Sequence, residues 1–386
     1  LSKNIDMSAA LGIPSLPSHS PDTIAALLWA REVLQDHLAI TYSVKDPKGI
    51  EELKPVSIGG VGQWLHIRGR NRNNPVLLIL HGGPGYGNIG FMDAIQRPWE
   101  DYFTIVQWDQ RQTGKSYYPA DDENSPLTVQ QFVEDTEGVI QYLLDYLGKD
   151  KLFVMGSSWG SVLGMHMVKR HPDWLHAYIG VGQVVNGMDN ERVLYERLLA
   201  YAREQKETQL VSKLEAIYPY PNPDFSGESF AKNNLFVREE LSRIAGESVM
   251  HHMSFHDALS MFSLDRLISP HLTLTDHSNS ILGGEVALYR PPYSFTTDFM
   301  SYNLPEDIGS SFEVPIFFFT GTHDWQTPVV LSDKWFQDIN APFKELVHFK
   351  ESSHAVLNEE PGKLLITLVN KVLPFAQDET KKDSVK

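Results

Sequence analysis

The chain has 386 residues, 42% hydrophobic and 21% charged, enough apolar side chain for a large buried core and too much for intrinsic disorder to be its main description. Its 33 Lys and Arg against 49 Asp and Glu give a formal net charge of −16, a field that repels phosphate backbones and anionic lipid heads. Neither nucleic acid nor a membrane is therefore expected as a partner, and the absence of cysteine excludes disulfides, thiolate metal sites and a cysteine nucleophile.

No apolar run approaches the roughly 20 residues that span a bilayer. Residues 1–6 have neither the basic segment nor the apolar stretch of a secretory leader, so the cytoplasm is the expected compartment. An amphipathic helix is expected over 22–37, introduced by Ser20 and Pro21, within an N-terminal helical extension covering 1–50. Alternating strand character over 56–70, broken by Gly59, Gly60 and Gly62, predicts a hairpin.

From residue 75 the chain alternates short apolar runs with helical patterns. Strands are expected at 76–80, 103–108, 152–155 and 177–181, and helices at about 91–102, 128–147 and 161–170. Such alternation indicates a parallel sheet buried on both faces. The rhythm stops at 183–307, where helices are expected at 191–205, 210–217, 230–244 and 256–262 and no buried strand is evident. This segment reads as an inserted helical cap. The sheet resumes with a strand at 314–320, a helix at 330–339, a strand at 345–349 and a helix at 361–373, followed by a flexible tail at 377–386. The expected fold class is α/β, with 51–182 and 308–376 forming the core.

Gly156-Ser157-Ser158-Trp159-Gly160 follows one expected strand and opens a helix, the context of a nucleophile elbow. Ser158 is the candidate nucleophile. A serine hydroxyl needs a histidine to take its proton, and that histidine needs a carboxylate to fix its tautomer. Asp324 and His354 each lie just past the carboxyl end of an expected strand, where active sites of open α/β sheets gather. The order Ser158, Asp324, His354 is that of the α/β-hydrolase fold.

His81-Gly82-Gly83-Pro84-Gly85, directly after the strand at 76–80, lets the backbone approach a tetrahedral intermediate. Gly83 is the leading oxyanion donor of this loop and Gly82 the next, with the N–H of Trp159 as the second donor. Gly114-Lys115-Ser116 resembles the end of a phosphate loop but has Asp109 where the leading glycine is required. His252 and His256 are spaced to share a helix face without an evident third ligand. No metal and no organic cofactor is required for the expected chemistry.

These residues resemble the proline iminopeptidase-like branch of the α/β-hydrolases, peptidase family S33. His81 to Gly85 is similar to its oxyanion loop, Trp108-Asp109-Gln110-Arg111 to a second signature, and Gly156 to Ser161 to its elbow. Gly321 to Asp324 and Ser353-His354 are similar to its acid and histidine segments; Gln112 stands where the second signature continues with glycine. The resemblance implies a short-peptide or small-molecule substrate whose amino terminus is bound by acidic cap residues, for which Glu191, Glu196, Glu204, Glu239 and Glu240 are available. Three readings follow: an aminopeptidase preferring proline, a carboxylesterase for small or aromatic esters, and a non-catalytic ligand-binding relative.

Overall fold

The computed structural model describes residues 21–118, 127–222, 227–244, 249–289 and 294–376. The tail at 377–386 lies outside the described residues. Helix α1 (Pro21–Tyr42) outlasts its expected end and meets the helical insertion, Arg31 donating to the carbonyls of Leu267 and Leu272 at 2.8 and 2.7 Å, while its last carbonyl, that of Tyr42, accepts from Arg68 of the sheet.

Strands β1 (Ile50–Ile58) and β2 (Val61–Gly69) form the expected hairpin, closing on the Ile58–Val61 pair. Gly59 and Gly60 have φ of 55° and 82°, the doubly positive turn whose twist matches that of paired strands. β3 (Val76–Leu80) is followed by α2 (Asp93–Gln96) and a 3-10 turn, Arg97–Asp101. The single helix expected at about 91–102 is thus split, with Pro98 inside the tighter turn, where its missing N–H removes a helical hydrogen bond.

β4 (Thr104–Asp109) leads to α3 (Val129–Leu147), whose N-cap Thr128 accepts from the Gln131 N–H at 3.1 Å. β5 (Leu152–Ser157), α4 (Trp159–Arg170) and β6 (Leu175–Val181) follow. The insertion then carries α5 (Gly187–Glu204), α6 (Thr208–Ala216), α7 (Gly227–Ile244), α8 (Phe255–Ile268), α9 (Leu274–Tyr289), α10 (Ser294–Ser301) and α11 (Leu304–Asp307). The last three escape the sequence pattern, which is interrupted by Gly283-Gly284 and by Pro291-Pro292. β7 (Ile316–Gly321), α12 (Val329–Asp338) and β8 (Lys344–Phe349) complete the sheet. The expected final helix is preceded by α13 (Val356–Glu359) and restarts as α14 (Pro361–Thr367), since Glu360 before Pro361 is pushed out of helical geometry.

The eight strands run in the order β1-β2-β4-β3-β5-β6-β7-β8, with β3 to β8 parallel and the β1–β2 and β2–β4 pairs antiparallel. Alternation along β3 sends Val76, Leu78 and Leu80 into one core and Leu77 and Ile79 into the other. A third cluster, including Leu194, Leu198, Leu214, Phe230 and Val237, gives the insertion an interior of its own. Among the described residues no helix is long and apolar enough to cross a membrane.

A Cβ on Gly60 would meet nothing within 4 Å, so substitution there tests backbone conformation alone. Gly60→Ala is expected to lower unfolding free energy by about 1–2 kcal/mol and Gly60→Asn by less, since Asn visits the left-handed region more readily. Urea unfolding midpoints check this, and equal losses for the two variants would contradict it.

Candidate active site

The turn from β5 into α4 holds Ser158 at φ 51°, ψ −120°, a strained conformation that lifts the serine off the sheet edge. Its neighbours are small by necessity: a Cβ on Gly160 would lie 2.1 Å from the Leu80 carbonyl oxygen, and one on Gly156 would lie 2.4 Å from the Gly160 oxygen. Ser158 N–H donates to Val181 O at 2.9 Å, while the Ser161 hydroxyl donates to Ser158 O at 2.6 Å and accepts from the Val184 N–H at 2.9 Å. These bonds tie the elbow to the end of β6.

Asp324 follows β7 and is buried. One of its oxygens accepts the N–H groups of Gln326 and Thr327 at 2.7 and 2.9 Å; the other accepts the Thr327 hydroxyl at 2.7 Å and His354 Nδ1 at 2.8 Å. Because that carboxylate oxygen accepts, the bonding assigns the proton to Nδ1 and leaves the Nε2 lone pair for chemistry. Ser158 and His354 line the same cavity.

The loop carrying His354 is pinned by Glu359, which accepts the Ser353 N–H at 2.8 Å and that of His251. Burial, with the charges of Asp324 and Glu360 adding to it, pushes the Glu359 carboxyl from its ordinary 4.5 to about 7 despite those two N–H bonds.

Gln110, at the end of β4, joins the two expected sources of oxyanion donors. Its amide donates to His81 O at 3.1 Å, its side-chain carbonyl accepts from Trp159 Nε1 at 2.9 Å, and its backbone N–H donates to His81 Nε2 at 3.1 Å. With Nε2 accepting, His81 Nδ1 carries the proton and donates to Gly82 O at 2.8 Å; burial pushes this imidazole down to about 4, so it stays neutral. Trp159 is the first residue of α4, where a helix leaves its N–H without an intrahelical partner. Gly83 lines the cavities on both sides of Ser158, and Gly82 lines one of them. Gln112, in the position where the resemblance leads one to expect glycine, has φ 59°, so the left-handed backbone is kept at a conformational cost.

The first cavity, about 320 Å³, runs from Ser158 and His354 into the insertion, where Asn190, Glu191, Asn234 and Arg238 line it. The second, about 260 Å³, is more apolar and includes Tyr86, Phe91, Met92, Phe262 and Leu357. Of the five glutamates singled out from sequence, Glu191 alone lines either cavity. It is 1% exposed, and its oxygens accept from Tyr220 Oη at 2.8 Å, Asn234 Nδ2 at 2.9 Å and Arg238 Nη2. Glu196 is exposed and pairs with Arg192; Glu240 pairs with Arg243; Glu204 and Glu239 are exposed. His252 precedes α8 while His256 lies within it, so the two do not share a helix face; the His256 side chain lies outside the described residues. Gly114–Ser116 is a short 3-10 turn whose Lys115 N–H donates to Asp109 at 3.0 Å.

The α/β-hydrolase fold model matches residues 75–361, which takes in the elbow, the acid and the histidine. The chain belongs to the α/β-hydrolase fold family. It is 32% identical over 325 residues to a Bacillus subtilis (strain 168) protein named probable aminopeptidase YbaC, covering 84% of this chain and 97% of that one. A proline iminopeptidase of Lactobacillus helveticus (strain DPC 4571) is 30% identical over 121 residues, 31% of this chain and 40% of that enzyme. The crystal structure of a Mycobacterium smegmatis proline iminopeptidase superposes with a TM-score of 0.56 at 16% identity, covering 85% of this chain and 100% of that one. The α/β-hydrolase fold expected from the sequence is thus the family found, and relatives named probable aminopeptidase and proline iminopeptidase are among those it resembles.

Sequence reasoning missed Gln110, Thr327 and Glu359, which make side-chain contacts to the loops of the site, and Asn234, Arg238 and Tyr220, which surround Glu191. Only Gln110 had a signal, its place in the second signature.

Two outcomes follow from this geometry. Gly160→Ala, facing a backbone carbonyl that has no room to retreat, is expected to cost about 3 kcal/mol or more, the upper end of overpacking losses; wild-type stability in that variant would contradict the close approach. Glu359 binds a proton more tightly folded than unfolded, so between pH 4.5 and about 7 its contribution to stability falls as pH rises. Tm measured across that window should decline more in the wild type than in Glu359→Gln, and parallel curves would contradict the shift.

Proposed function

We propose that the protein is a serine hydrolase in which Ser158 is the nucleophile, His354 the general base and acid, and Asp324 the group that orients and charge-stabilises the histidine. One observation carries the reading: His354 Nδ1 is held by the buried Asp324 at 2.8 Å beside a strained elbow serine that lines the same cavity. Ser158 Oγ attacks the carbonyl carbon as its proton passes to His354 Nε2, and the N–H groups of Gly83 and Trp159 take the developing oxyanion. The intermediate collapses, the leaving group departs with the proton from Nε2, and water, deprotonated by the same nitrogen, releases the acyl group from Ser158.

The substrate reading is an aminopeptidase of the proline iminopeptidase type acting on small peptides or amides. Its support is the relatives' names together with a cavity of single-residue scale that ends on polar groups, Glu191 among them. A substrate's ammonium group would have to share Glu191 with Arg238, Tyr220 and Asn234. That prior engagement, with the apolar second cavity, favours a second reading as a carboxylesterase for small or aromatic esters. A non-catalytic relative would keep the scaffold without turnover.

A panel of prolyl-arylamide, N-acylated prolyl-arylamide and graded p-nitrophenyl esters separates these readings. Cleavage of the free-amine arylamide that is lost on acylation is expected; ester turnover with no arylamide cleavage would favour the esterase, and no turnover of any would remove both. Ser158→Ala should lower kcat by about 10⁴ to 10⁶ with the fold intact, because the triad acts as a unit. A fall below tenfold would mean another nucleophile.

A further inference from the structure

Away from the elbow, three side chains that no catalytic step uses converge where the sheet meets the insertion. His66 comes from β2, Asp93 from the start of α2, and His271 from the loop between α8 and α9. One ligand atom from each lies within 4.8 Å of the other two. His66 Nδ1 is 3.8 Å from Asp93 Oδ1 and His271 Nε2 is 3.5 Å from Asp93 Oδ2, and the two rings sit 4.2 Å apart, tilted by 57°.

These separations do not make hydrogen bonds. Among the described residues, both nitrogens of His66, a residue 1% exposed, lack a hydrogen-bond partner, as does Nε2 of His271. Buried polar atoms are rarely left in that state, and two imidazoles with a carboxylate are the ligand set that borderline divalent metals take. Tetrahedral bonds of about 2.0–2.1 Å place neighbouring ligand atoms ~3.3 Å apart; since one Asp93 oxygen would face both imidazoles and the three ligand atoms lie within 4.8 Å of one another, no pair needs to close by more than roughly 1.5 Å.

We propose that His66, Asp93 and His271 form a binding site for a divalent metal ion of the zinc class, which staples the helical insertion to the sheet. The electrostatics agree. Arg68, whose charge acts on Asp93, is already engaged by Glu100 at 2.8 Å and by Glu51, and among the described residues no Lys or Arg forms a salt bridge with Asp93. Burial pushes the Asp93 carboxyl up and both imidazoles down, so the histidines are in the neutral form a metal requires and the carboxylate gains from a neighbouring cation. Ser269 Oγ donates to Asp93 Oδ2 at 3.4 Å as an outer contact, and Gln35 of α1 donates to Ser269 O at 2.5 Å. The ion would sit where the sheet, the insertion and the N-terminal helix meet.

The test uses the full chain, stripped with EDTA, dialysed and titrated with Zn²⁺, with bound metal counted by mass spectrometry and Tm followed. One equivalent is expected, raising Tm by about 3 °C at a hundredfold excess over Kd, and His271→Gln should lose both the equivalent and the shift. Cobalt(II) added to the unaltered chain should give four-coordinate d–d absorption, which keeps the test intact if His271→Gln fails to fold. No bound equivalent, binding undiminished in folded His271→Gln, or a purely octahedral cobalt spectrum would each overturn the proposal and leave water as the partner of these atoms. Because metal and Tm are read without turnover, the outcome is independent of the hydrolase reading.

Discussion

The hydrogen bond from His354 Nδ1 to Asp324 is the contact on which the rest of the site depends. An imidazole free to rotate presents either nitrogen; bonded to an acceptor buried among two N–H groups and a hydroxyl, it presents one. The parallel sheet makes this contact possible. β5, β6, β7 and β8 are consecutive neighbours running the same way, so the turns after β5, β7 and β8 open on one edge, and residues distant in the chain meet there.

The same edge receives the loop after β3, and Gln110 couples it to the elbow through a side chain that bonds both His81 and Trp159. The two segments that carry the proposed oxyanion donors are thereby linked through one side chain. The strain at Ser158 and Gln112 is concentrated next to this network, while the strands beneath are buried on both faces and well bonded. Rigidity below and strain above suit a site built to hold a reacting carbonyl in place.

Much of this was legible in the sequence because it is local. The elbow glycines announce a close approach, which the Leu80 and Gly160 oxygens confirm, and apolar runs of five or six residues mark strands buried on both faces. What was not legible depends on three-dimensional meeting. Glu191 reads as any helical glutamate, and its burial follows only from Tyr220, Asn234 and Arg238 closing over it. His66, Asp93 and His271 share no spacing a motif could register. The helix over 274–289 is hidden in the sequence by Gly283-Gly284 within it, and the single helix expected at about 91–102 is broken by Pro98.

The account is tested most directly by treating the folded chain with a fluorophosphonate and mapping the adduct by peptide mass spectrometry, beside Asp324→Asn treated in parallel. A single adduct on Ser158, formed much more slowly in Asp324→Asn, is the predicted result. A folded wild-type chain that takes no label, or takes it on a different serine, would contradict the proposal that Ser158, His354 and Asp324 act together.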